Sequence, residues 1–245
     1  MIASLAMYDL LALQGANDRL WRAIRSHLGH GPENLTRDGD LWQIWQSPDL
    51  LIAQTCGMPF RTRLHPNVTL VGTPDYGLPD CPPGYYNSVL VVHVDANGDR
   101  PEDFAGVRFA YNDPASQSGW AAPITHMDAA GVRFAVLLQT GSHANSARAV
   151  AEGGADIAGL DALTWQLLQD HNPTLTDRLR VIDSTEPTPA LPYITAAGRD
   201  PAPIAKAFRA ALGDLPPRDR AALRLQGLVD IPAPAYLAIA TPASP

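Results

Sequence analysis

From Val107 to Asp170 one pattern comes round three times and leaves little freedom of fold. An apolar, β-branched or aromatic run is followed by a short polar turn and then by a helical stretch. The runs cover 107–112, 133–139 and 156–160. The helical stretches open at Ser116, in "SHANSARAVAEGG" and in "ALTWQLLQDH". Strands that alternate with helices predict parallel neighbours with helices on the sheet faces. In such sheets ligands bind beyond the carboxyl ends of the strands.

The remaining chain continues the alternation. "IASLAMY" reads as a first strand and "ANDRLWRAIRSHLG" as a helix, with Leu20, Trp21, Ile24 and Leu28 at helical spacing. Asn17 or Asp18 is its expected cap, and Gly29 its end. "DLWQIWQSP" reads as a short helix, and "DLLIAQT", "NVTLVGTPDY" and "YYNSVLVVHVD" as strands. "RLRVIDST" is a strand, "EPTPALPYITA" an extended return, and "DPAPIAKAFRAALGDL" and "PRDRAALRLQG" are helical. The tail "LVDIPAPAYLAIATPASP" reads as irregular.

Totals narrow the classes of function. The 245 residues suffice for one large domain or two lobes. A net charge of −7 without a basic run argues against a nucleic-acid surface. No apolar run reaches the ~20 residues of a membrane helix. The start lacks the basic region and cleavage site of an export signal. The expected location is therefore periplasmic if a signal is missing from this sequence, and otherwise cytoplasmic. The histidines are scattered and Cys56 and Cys81 match no metal-ligand spacing, so neither metal nor cofactor is expected. The two cysteines read either as one disulfide or as two thiols.

The strand ends carry the chemistry. A helix start leaves several N–H groups without partners and about half a positive charge. Ser116 fits the cap position there; Gln117, Ser118 and Gly119 fill the first turn, and Gly119 leaves room for an oxyanion. Pro123 should shorten or kink this helix. Asn112 closes the same strand, Ser142 and His143 open the next helix, and Asp161 ends the third strand. A carboxylate beside an anion requires a proton or cation between them. As an alternative, Asp161 simply caps "ALTWQLLQ". Arg61, Arg63 and Arg148 read as solvated surface residues.

Together these stretches resemble the phosphonate-type solute-binding proteins of ABC transporters. The resemblance rests on "GYYNSVLVV", "SQSGWAAP", "GSHANSARAVAEG", "ADIAGLDALTW" and "EPTPALPY", which follow one another in that order along the chain. Gln117 departs from the family's usual hydroxyl residue. The resemblance implies an α/β, type II periplasmic-binding-protein-like fold of two lobes, each a mostly parallel sheet flanked by helices, with the ligand cleft between them. One lobe would be 1–92 plus 186–245 and the other 93–185. Ser116, Gln117, Ser118 and His143 would hold a phosphonate, phosphite or phosphate-like head. Tyr86, Tyr8, Gln54 and Thr55 would come from the opposite lobe. An ABC permease is the implied partner and a monomer the implied state. The same fold also admits an enzyme of cofactor-precursor metabolism or a ligand sensor, but no nucleophile–base pairing is visible, so an enzyme is not expected.

Overall fold

The computed structural model describes residues 1–245, which divide into two compact units. The first comprises Met1–Tyr85 and Pro189–Ala238, the second Tyr86–Thr188 and Ile239–Pro245.

The first unit is built on a five-stranded sheet in the order Ile2–Ser4, Leu50–Gln54, Tyr193–Ala196, Val68–Asp75, Gly227–Val229. Only the first pair is parallel. The Gln14–Leu28 helix buries Ala16, Leu20, Trp21 and Ile24 and packs against the Ala202–Asp214 helix. It ends at Gly29, whose φ of 74° is the left-handed conformation that glycine adopts without steric penalty. The expected caps serve otherwise. Asn17 Nδ2 donates to Asp9 Oδ1 at 2.8 Å, and Asp18 pairs with Arg37 at 2.8 Å. The tail is more ordered than its prolines suggest, with a strand at Gly227–Val229 and a helix at Ala233–Leu237. Tyr236 explains why: its ring meets Phe60 edge-on in the core, and its hydroxyl bonds Thr73 Oγ1 at 2.6 Å and Ala190 O at 2.8 Å.

The second unit holds a five-stranded sheet in the order Val136–Gln139, Arg108–Tyr111, Ile157–Asp161, Ser88–His93, Leu179–Ser184. The first three strands are mutually parallel, as the repeated strand–turn–helix pattern predicts. Ser88–His93 runs antiparallel to both of its neighbours. Leu90, Val91 and Val92 are fully buried in it.

Two expectations are corrected. The sheets are mixed rather than mostly parallel, because strands of opposite direction enter each, Ser88–His93 in the second unit and Tyr193–Ala196 and Gly227–Val229 in the first. The division also falls at 85/86 and 188/189 instead of 92/93 and 185/186, and Ile239–Pro245 joins the second unit. The reason is hydrogen bonding: Ser88–His93 ladders onto Ile157–Asp161 and Leu179–Ser184, so it cannot belong to the first unit.

Candidate functional site

In the second unit three parallel strand ends lie side by side, and each leads into a helix. After Arg108–Tyr111 the chain turns on Asp113, whose Oδ1 accepts from Ala115 N at 2.7 Å. Ser116 then caps, its Oγ accepting from Gly119 N at 3.0 Å. Gln117–Ala121 forms a wide π-type turn in which the Ser116 carbonyl accepts from both Trp120 N and Ala121 N. The regular helix Ala122–Ala129 follows, with Pro123 in its first turn. The expected break at Pro123 is therefore absorbed by the wide turn before it.

The next strand end is tied to the first. Thr140 N donates to Tyr111 O and Gly141 N to Asn112 O, both at 2.9 Å. Ser142 Oγ accepts from Asn145 N at 3.1 Å and so opens the helix His143–Ala151. This register brings Ser118 Oγ to 3.1 Å from His143 Nε2. A Cβ on Gly119 would lie 1.8 Å from Asn112 Oδ1 and 3.2 Å from His143 Cε1, so any larger residue would displace the Asn112 side chain. Asn112 Oδ1 and His143 Nδ1 are both buried without a hydrogen-bond partner.

The third strand ends at Asp161, which is buried and whose Oδ1 accepts from Thr164 N at 2.8 Å. It is a helix cap, and its charge also acts on His143. Burial pulls the His143 imidazole below its ordinary range, while Asp161 and the Gly159 carbonyl oppose that shift. Near neutral pH the histidine is therefore uncharged.

Asn112, Ser116, Ser118, Gly119, Ser142, His143 and Asp161 thus belong to one connected arrangement, and Gln117 is buried in the same turn. Tyr86 is buried and is the first residue of this unit, not a residue of the other. It leads into Ser88, which pairs with Asp161 in the sheet ladder. Arg148 is exposed and bonds Asn145 Oδ1, apart from this cluster.

In the first unit Tyr8 lies in the short turn Ala6–Tyr8, beyond the strand Ile2–Ser4. Its ring meets Tyr76 edge-on with centroids 5.3 Å apart. Tyr76 OH accepts from Gln54 Nε2 at 2.8 Å, and Gln54 also donates to Leu191 O at 3.1 Å. Thr55 is fully buried, with its N–H on Pro192 O at 3.0 Å and its Oγ1 without a partner. Tyr76 links Tyr8 to Gln54 and escaped the sequence reading. The signal was there, since Tyr76 follows a strand end much as Tyr8 does. Arg63 stacks over Trp42, 4.0 Å from the ring centroid. Cys56 and Cys81 form no disulfide; burial pushes the Cys81 thiol up to about 11.

An α/β chain of two such units, each a mixed sheet flanked by helices, has the fold of type II periplasmic binding proteins. The chain belongs to the family of periplasmic substrate-binding proteins of phosphonate ABC transporters, whose model matches residues 53–233. PhnD1 from Prochlorococcus marinus in complex with methylphosphonate is similar at 16% identity and a TM-score of 0.77, over 96% of this chain and 94% of that one. A binding-protein component of an ABC phosphonate transporter from Pseudomonas aeruginosa is 18% identical with a TM-score of 0.69, over 93% and 80% of the two chains. XAC2383 from Xanthomonas citri, bound to chloride ion, is 14% identical with a TM-score of 0.70 over 98% of each. No curated protein matches by sequence. No helix is long and apolar enough to cross a membrane.

Proposed function

We propose that this chain captures a small tetrahedral oxyanion of the phosphonate, phosphite or phosphate class, as a periplasmic monomer that delivers it to an ABC permease. The observation that carries the reading is the 3.1 Å approach of Ser118 Oγ to His143 Nε2, which puts two helix starts beside each other. Helix starts hold anions through backbone N–H groups and the helix dipole, with no need for lysine. Two buried polar atoms without partners, Asn112 Oδ1 and His143 Nδ1, support it, because an unsatisfied buried polar group is costly to keep; the Asn112 oxygen would accept from the P–O–H of a monoprotonated head group. Family membership and the methylphosphonate bound to PhnD1 point to the same ligand class.

Ser116, Gln117, Ser118, Gly119, Asn112, Ser142 and His143 would hold the head group, with Tyr86 beside them. Tyr8, Gln54 and Thr55 on the first unit are carried in the proposal as ligand residues, open to the same titration. Asp161 makes the ligand a monoprotonated oxyanion or one bearing a cationic group, since a dianion would face an uncompensated carboxylate.

Calorimetric titration with methylphosphonate, phosphite and phosphate tests the reading. Ser118→Ala should weaken binding by about 1 to 3 kcal/mol through loss of one hydrogen bond to a charged group. An unchanged affinity in that variant would remove the serine-rich turn from the site.

A further inference from the structure

One groove of the second unit borders the serine-rich turn at Gln117. Its volume is about 230 Å³, and its walls include Gln117, Ala121, Ala122, Thr125 and Ile239. Gln117 and Ala121 are buried at its floor, whereas Thr125 and Ala240 are exposed at its mouth. The helix residues recur at i, i+4, i+5 and i+8, so they form one stripe along the helix. Alanines on that stripe leave the space open. The opposite wall comes from the chain end, which Trp120 Nε1 pins by donating to Ala243 O at 3.1 Å.

Several polar groups that border the groove are already engaged or ill-suited to an anion, beside the Thr125 and Thr188 hydroxyls that also line it. His126 Nε2 pairs with Asp183 at 2.8 Å. Thr185 Oγ1 accepts from Ser88 N at 3.0 Å and donates to Glu186 O at 3.4 Å. The Glu186 carboxylate at the rim would repel a second phosphonate head. What remains is a small, mostly apolar channel. Gln117 belongs both to this channel and to the turn, between the capping Ser116 and the Ser118 that meets His143. Gln117 is thus the residue through which a carbon substituent on a head group held at the turn would reach the channel.

We infer that this groove receives the organic substituent of the ligand, so that the chain selects phosphonates bearing an apolar chain of several carbons over phosphate or methylphosphonate. The inference rests on the oxyanion reading of the serine-rich turn. Burial of each methylene should then raise affinity by up to about fourfold.

The test is calorimetric titration of the full chain with phosphate and with methyl-, propyl- and pentylphosphonate. The expected result is an affinity that climbs along the series. Thr125→Trp, at the exposed mouth, should abolish the climb while leaving methylphosphonate affinity as it was. Ala122→Leu, half-buried on the same stripe, should do the same and serves if the first variant misfolds. Affinity that is flat or falls with chain length overturns the groove assignment while methylphosphonate binding still upholds the head-group site. Equal weakening of every ligand by the two variants overturns it as well. If no phosphonate binds at all, both readings fall together.

Discussion

At the scale of single residues, His143 carries the sharpest consequence. Its Nε2 meets Ser118 Oγ, and burial outweighs the opposing influence of Asp161 and the Gly159 carbonyl on its pKa. A histidine whose folded pKa lies below its unfolded value of about 6.5 binds fewer protons when folded. Stability is therefore full above about pH 6.5 and falls as pH drops from there toward the depressed folded value. Urea midpoints measured between pH 7 and pH 5 should show this fall, and His143→Gln should flatten it. A slope that persists unchanged in the variant would assign the pH dependence to other groups.

At the scale of elements, the serine-rich turn depends on how closely its helix sits on the strand Ile157–Asp161. A Cβ on Gly159 would come within 2.3 Å of Pro123 Cγ and 3.4 Å of the Ser118 carbonyl. The first turn of Ala122–Ala129 is thus seated directly on a strand that has no side chain in the way. Gly159→Ala forces the helix start outward and should destabilise the protein by about 1 to 3 kcal/mol, read as a lower urea midpoint. It should also weaken ligand binding, because Ser118 moves with Pro123. Retained stability in this variant would show that the helix start is free to shift. The wide turn at Gln117–Ala121 belongs to the same account. It sets Pro123 at the beginning of the regular helix, where a missing N–H costs little.

At the scale of the whole molecule, capture without chemistry has a thermodynamic signature. A ligand that binds the folded chain and not the unfolded one stabilises it by mass action. At about a hundredfold excess over Kd the gain is about 2.7 kcal/mol, so Tm should rise with the preferred phosphonate and keep rising with concentration. Consumption of the ligand over hours would point instead to an enzyme. The net charge of −7 sets no barrier to binding an anion, since the proposed contacts are backbone amides, hydroxyls and a neutral imidazole rather than a basic surface.

By itself the sequence determined what short-range physics can specify. Alternating apolar runs and capped helices marked strands at 107–112, 133–139 and 156–160, where Arg108–Tyr111, Val136–Gln139 and Ile157–Asp161 form, and Ser116 and Ser142 marked helix starts, because periodicity and capping act within a few residues. Only the tertiary structure decided which strand Ser88–His93 pairs with, why Tyr236 orders a proline-rich tail, and that Tyr76 joins Tyr8 to Gln54. Each of those contacts closes a loop of many residues. Its partner is chosen by burial and hydrogen bonding across the whole fold, which no local pattern encodes.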